Sequence, residues 1–267
     1  MLRRTARGRL SELFGARTLP IDSLIRRLDL YPLSRTSVQA LDGQTQAALE
    51  AYSDGVNAWI GQVNAGARGR GAPEMWLFNH AIAPWQPADS VSIIKLMALQ
   101  LSNHLETEVL RARTSLVLGN DERLNDILPE APGAGLAALP NYAALFPDVP
   151  AFTPNNRMAF DPLSPVVPRD LAGASNAWAG GITRSATGST LLANDPHLGL
   201  TAPSIWYLAR LELESGGVIG GTIPGVPVIM IGRSADLGWG ITSNNLDDQG
   251  VYIEEVNPSD ANQYRVP

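Results

Sequence analysis

Ser175 stands behind two small residues in Gly173-Ala174-Ser175-Asn176-Ala177-Trp178, and His197 closes the run Leu191-Leu192-Ala193-Asn194-Asp195-Pro196-His197 downstream of it. A serine in that setting is a candidate self-cleavage point. Scission of the Ala174–Ser175 bond would give Ser175 a free α-amine beside its hydroxyl, placing nucleophile and base on one residue. An unperturbed α-amine has a pKa of roughly 7.7–8.0, close to working pH, so it can take the hydroxyl proton. Plainer readings of the same residues stand beside this one. Ser175 could be an ordinary turn serine. It does not sit in a G-x-S-x-G elbow, because Ala177 replaces the second glycine, and Gly232-Arg233-Ser234-Ala235-Asp236 fails the same test. A Ser175–His197–Asp195 triad is available by composition, but Asp195 lies too near His197 in sequence for its role to be fixed.

The elements that must position these residues divide the chain by character. Residues 1–130 read as helical, with the basic N-terminal run as an amphipathic helix that puts Leu10, Leu13 and Phe14 on one face and solvates its arginines. Leu49, Tyr52, Val56, Trp59, Ile60 and Val63 recur near helical spacing. Asp89, after Pro84-Trp85-Gln86-Pro87, reads as the N-cap of a second long helix that ends at Gly119-Asn120. Residues 131–174 carry Pro132, Pro140, Pro147, Pro150, Pro154, Pro162, Pro165 and Pro168 with little periodicity, the pattern of an extended connector or removable spacer. Residues 175–267 turn β-like, with short runs such as Trp178 to Ile182, Thr190 to Ala193, Ile205 to Leu213, Val226 to Ile231 and Gly250 to Val256. Gly216-Gly217-Val218-Ile219-Gly220-Gly221 lacks a Walker lysine and reads as turns between strands. Pattern alone gives an α+β class, helical first and β-rich second.

Composition narrows the chemistry. The chain has 267 residues, 45% hydrophobic and 17% charged, which is a globular balance with enough length for a sizeable core. A net charge of -6 and the lack of nucleic-acid motifs argue against a nucleic-acid partner. No apolar run approaches the ~20 residues needed to span a bilayer, and no apolar h-region follows the basic start, so a membrane partner and a signal peptide are not expected. With no cysteine and three histidines, thiolate chemistry, disulfides and a histidine-rich metal site are excluded. His80 and His104 read as helix-surface or core histidines. Trp178, Trp206 and Trp239 read as core or pocket-flanking residues and not as cofactor stackers.

Four motifs recur in order: Ser175-Asn176-x-Trp178, Asn194-Asp195-Pro196-His197, Pro224-Gly225-Val226-Pro227 and Gly238-Trp239-Gly240-Ile241-Thr242-Ser243-Asn244. The series resembles the penicillin acylase (penicillin amidase) family of N-terminal nucleophile hydrolases, which includes penicillin, cephalosporin and acyl-homoserine-lactone acylases. The likeness extends to Arg3-Arg4-Thr5-Ala6-Arg7-Gly8-Arg9-Leu10 and Pro84-Trp85-Gln86-Pro87-Ala88-Asp89-Ser90.

The resemblance implies a precursor that cleaves itself between Ala174 and Ser175 into an α chain and a β chain, these being each other's partners. It implies an αββα sandwich with the nucleophile at the start of a strand, incomplete in this chain, because relatives continue upstream of Met1 and beyond Pro267. Ser175 would be nucleophile and base, His197 would hold the serine amine, and the Ser243 backbone N–H would serve the oxyanion, with Asn244 adjacent. The second family oxyanion donor, an asparagine, falls beyond this chain. Many relatives bind a structural Ca²⁺, and the matching positions are Glu108, Asp247 and the Gln249 carbonyl, oxygen donors of the type that ion takes. Gly250 departs from the aspartate that relatives supply there, with Asp248 beside it. No cofactor is required for amide hydrolysis. The implied activity is a side-chain amide hydrolase on β-lactam or acyl-homoserine-lactone substrates, with His197 leaning toward cephalosporin- or lactone-type relatives, and the family location is periplasmic. The rivals are a catalytically incomplete piece of such an enzyme and, from another class, an adaptor or binding module.

Overall fold

A proline, two arginines and one buried aspartate organise the helical part of the computed structural model, which describes residues 1–69, 71–78, 82–101, 104–118, 123–124, 126, 175–196, 198, 204–214, 216–242 and 255–265. Helix α6 (Pro87–Leu101) begins at Pro87, whose fixed φ and missing N–H suit a first helical position. Asp89 is therefore not the N-cap that its sequence position suggests. It lies inside the first turn, and its carboxylate reaches back to accept the Gln86 N–H at 2.8 Å. The same fully buried carboxylate meets the Arg7 guanidinium at 2.9 Å and that of Arg3 at 3.5 Å. Arg3 also lies over the Trp85 ring and Arg7 over the Tyr31 ring, 5.0 and 4.2 Å from the centroids. These arginines are thus structural pairs and not a solvated face.

The N-terminal run is also not one continuous helix. Helix α1 (Leu2–Ala6) stops before Gly8, which takes φ +59, and a Cβ there would stand 2.8 Å from the Asp22 carbonyl oxygen. Leu10 is fully buried beyond that break, ahead of the short helix α2 (Ser11–Phe14). The Asp22 carboxylate, on α3 (Leu19–Arg27), accepts the Leu10 and Ser11 N–H groups at 2.8 Å each. Helix α4 (Leu30–Ala40) follows, and Ala6, Ile25, Leu30 and Leu96 form a buried cluster. Helix α5 (Gly43–Asn64) starts where the Asp42 carboxylate caps Thr45 N–H at 2.9 Å. It buries Leu49, Ile60 and Val63, whereas Trp59 stays 46% exposed beside Arg68.

The second half is antiparallel sheet. Strands β1 (Ser175–Gly180) and β2 (Leu191–Pro196) form a two-stranded ribbon. Strands β3 (Tyr207–Leu213), β4 (Gly216–Thr222), β5 (Ile231–Arg233) and β6 (Gly238–Trp239) form a four-stranded sheet in that order. The glycine run from Gly216 is therefore a strand and not turns. Its glycines allow close backbone approach: a Cβ on Gly220 would stand 2.0 Å from the Ile231 carbonyl oxygen. Conversely, the stretch from Val226 towards Ile231 is mostly loop, since Pro224 and Pro227 cannot donate to a ladder. That loop enters the helical layer, burying Ile223 and Val226 and placing Gly225, at φ +99, against Ile93 and Trp85.

The chain divides into two compact units, Met1–Gln100 with Phe160–Ser243, and Leu101–Ala159 with Asn244–Pro267. The described part of the second unit holds helix α7 (His104–Leu118), with Arg111 and Ser115 buried, and the hairpin of β7 (Val256–Asn257) and β8 (Asp260–Tyr264). Helices and antiparallel strands together give the α+β class that the sequence suggests.

Candidate active site

Ser175 opens β1 directly opposite Pro196, the last residue of β2. Pro196 has no N–H to donate, and among the described residues Ser175–Pro196 is the terminal rung of the ribbon. The residue after Pro196 is His197, which lies outside the described residues. Ala177 pairs with Asn194 and Ala179 with Leu192, and the alternation of strand side chains puts these pairs on the Ser175 face. Asn176 pairs with Asp195 on the other face. Strand alternation therefore sets Asp195 and Ser175 on opposite faces of the ribbon.

The chain around β6 crosses the Ser175 face. A Cβ on Gly238 would stand 3.0 Å from the Leu192 side chain, and one on Gly240 would stand 2.9 Å from Asn194 Cβ and Cγ. The two contacts advance along β2 in the same sense, towards the Pro196 end where Ser175 lies. At Gly240 the obstacle to a Cβ is Asn194 itself, whereas at Gly238 it is only the tip of the Leu192 side chain.

Asn194 fastens the crossing. Its side-chain oxygen accepts the Ile241 N–H at 3.1 Å. Its Nδ2 donates to the Ile241 carbonyl at 3.1 Å and to the Asn176 carbonyl at 2.7 Å. One half-buried amide thus replaces a peptide unit and joins β1, β2 and the strand-like segment after Trp239. Trp239 holds the other end, with its indole N–H donating to the Ile229 carbonyl at 3.1 Å. A continuous run of contacts links the Ser175 strand, Asn194, Ile241, Trp239 and the loop seated in the helices.

Of the residues singled out in the sequence, Ser175 is described, half-buried at the head of β1. Ala174, His197, Ser243, Asn244, Asp247 and Gln249 lie outside the described residues. Glu108 falls in α7, but its side chain lies outside them too. Among the described residues no group of three or more histidines, cysteines or carboxylates could hold a metal ion, and no helix is long and apolar enough to cross a membrane. Asn194, Gly238 and Gly240 were not identified as site residues by motif reading beyond their membership of the series. Their signal was present, since Asn194-Asp195 are poor strand formers placed inside a strand.

A family model described as penicillin amidase matches residues 1–267. The acyl-homoserine lactone acylase QuiP of Pseudomonas aeruginosa is 29% identical over 263 residues, covering 96% of this chain and 30% of that protein. The penicillin acylase 2 proenzyme of Pseudomonas sp. (strain SE83) is 30% identical over 267 residues, covering 96% of this chain and 33% of its own length. The penicillin G acylase of Escherichia coli is 23% identical over 309 residues, covering 99% and 36%. The chain therefore spans about a third of the length of the curated relatives it matches.

Proposed function

The chain belongs to the penicillin amidase family, and from that premise we propose that it is part of an acylase that hydrolyses side-chain amides through an N-terminal serine. The observation that carries the proposal is the placement of Ser175 on the terminal rung of the β1–β2 ribbon, on the face crossed by Gly238 to Thr242. The names of the relatives, penicillin acylase and acyl-homoserine lactone acylase, supply the substrate class: an acyl group joined through an amide to a β-lactam nucleus or a homoserine lactone. The term proenzyme in one of them supports a precursor that is cut.

In the proposed maturation, Ser175 Oγ attacks the Ala174 carbonyl carbon, the acyl group passes from nitrogen to oxygen, and water cleaves the resulting ester. The α-amine of Ser175 is thereby released. In the proposed turnover that amine takes the hydroxyl proton while Oγ attacks the substrate carbonyl. The Ser243 N–H donates to the oxyanion, an interaction of the kind worth about 3–4 kcal/mol in other hydrolases. Collapse breaks the C–N bond, and the leaving amine takes the proton back from the α-ammonium. Water then attacks the acyl-serine with the α-amine again as base, releasing the acid. His197 holds the amine in place, and Asn244 flanks the oxyanion donor.

The proposed chain division is an α-chain part at 1–130, a spacer at 131–174 and a β chain from Ser175. The proposed architecture is the αββα sandwich, and the proposed location is the periplasm. No step draws on a cofactor. A Ca²⁺ on the oxygens of Glu108, Asp247 and Gln249 would be structural and enters no step.

The experiment is Ser175→Ala in the full-length protein. The variant should fold, stay uncut and hydrolyse no amide. Retained hydrolysis would overturn the reading, and an uncut, inactive parent chain would favour the rival of a catalytically incomplete acylase piece.

A further inference from the structure

Asn194 makes three side-chain hydrogen bonds, and all three go to backbone on elements that converge on the Ser175 end of the ribbon. Such a bridge is costly to place in a β-ladder, because asparagine is a poor strand former and its side chain loses rotamer freedom. The neighbouring backbone has been thinned to admit it, since Gly240 could not carry a Cβ without meeting Asn194 at 2.9 Å. The bridge spans 47 positions between Asn194 and Ile241 but only 18 between Asn194 and Asn176. It therefore sets the distance between two segments that no local turn relates.

We propose that Asn194 is a positioning residue that fixes the separation between the Ser175 strand and the Ile241 backbone. The proposal rests on the reading of Ser175 as nucleophile and the Ser243 N–H as oxyanion donor. Asn194 makes its side-chain bonds to the backbone of Asn176 and Ile241 and not to Ser175 itself. It acts through the Ile241 peptide, two residues ahead of that donor, and through the Asn176 carbonyl, one residue behind the nucleophile. Aspartate at the position would keep the shape and the acceptor for Ile241 N–H. It would also set a carboxylate against two carbonyl oxygens, losing both donated bonds and pushing the segments apart.

A comparison elsewhere in the same unit separates positioning from plain stability. Asn57, on α5, bridges to backbone in the same manner, accepting the Trp85 N–H at 2.6 Å and donating to the Trp85 carbonyl at 3.0 Å. Neither of these bonds goes to the ribbon or to the segment after Trp239.

The test uses the full-length protein and phenylmethylsulfonyl fluoride, which needs no knowledge of the natural substrate. Ser175 Oγ attacks the sulfonyl sulfur, the S–F bond breaks, fluoride leaves and the hydroxyl proton passes to the α-amine. The capture rate per folded, cut molecule is read by intact mass, with thermal stability measured alongside. N194D should capture about tenfold or more slowly, as small misplacements of reacting groups do. N57A should lose stability with an unchanged capture rate. Capture by N194D at the parent rate, or equal slowing in N57A, would overturn the proposal and leave the nucleophile reading intact. Capture that survives in S175A would overturn the nucleophile reading and the proposal with it. Where N194D stays uncut, hydrogen exchange decides. Faster exchange confined to 238–242 supports positioning, and faster exchange throughout α5 and α6 as well would overturn it.

Discussion

Ser175 and Pro196 face one another as the last paired residues of the β1–β2 ribbon. An imino acid stands opposite the serine, so Pro196 contributes no N–H to that rung.

The proposed base gives the first prediction. The Ser175 amine must be neutral to accept the hydroxyl proton, so kcat/KM should fall as pH drops through roughly 7.7–8.0, the ordinary range of an α-amine. A rate–pH profile on a chromogenic anilide checks this. An inflection near about 6.5 that H197Q abolishes would instead make His197 the base.

Buried charge gives the second. Asp89 is fully buried and compensated by Arg7 and Arg3. D89N removes one partner and strands two guanidinium groups in a half-dry site, which should cost about 3–5 kcal/mol. A urea titration of D89N should show a lowered midpoint. A midpoint equal to the parent would contradict the pairing.

Two glycines in the same chain should respond in opposite directions. G220A would place a Cβ 2.0 Å from the Ile231 carbonyl oxygen and should destabilise by about 1–3 kcal/mol, since the obstacle is backbone. G55A lies within α5 with nothing within 4 Å of its Cβ and should stabilise by about 0.5–1 kcal/mol. Melting temperatures of the two variants check the contrast.

These responses show which parts of the fold are legible in the sequence. The helix through Leu49 and Val63 follows from apolar spacing, because a helix is specified by residues near each other in the chain. The strand from Gly216 to Thr222 does not, because its glycines answer to the Ile231–Gly232 backbone, which local pattern does not reveal. Asp89 shows the same limit: its type suggested a cap, but its partners are Arg3 and Arg7, more than eighty residues away. At the site, Ser175 is legible from its small neighbours. Asn194 is visible as part of a motif, but its tie to Ile241 is a long-range side-chain bridge that spacing does not encode.

Two tyrosines predict behaviour in alkali. Burial raises the Tyr31 hydroxyl above its ordinary value, with the nearby Asp89 carboxylate adding to the effect, and burial likewise raises Tyr52. The folded state therefore favours the neutral phenol. The stability this contributes is complete below the ordinary tyrosine pKa of about 10 and is lost as pH climbs through the raised folded values. Denaturant midpoints should decline above about pH 10, and Y31F with Y52F should flatten that decline.

The account turns on one bond. The full-length protein should be isolated folded, and every chain in it should be weighed intact and sequenced from its N-terminus. A chain beginning Ser175-Asn176-Ala177-Trp178, absent from S175A, is the predicted result. A folded, amide-hydrolysing protein with the Ala174–Ser175 bond uncut would contradict the account.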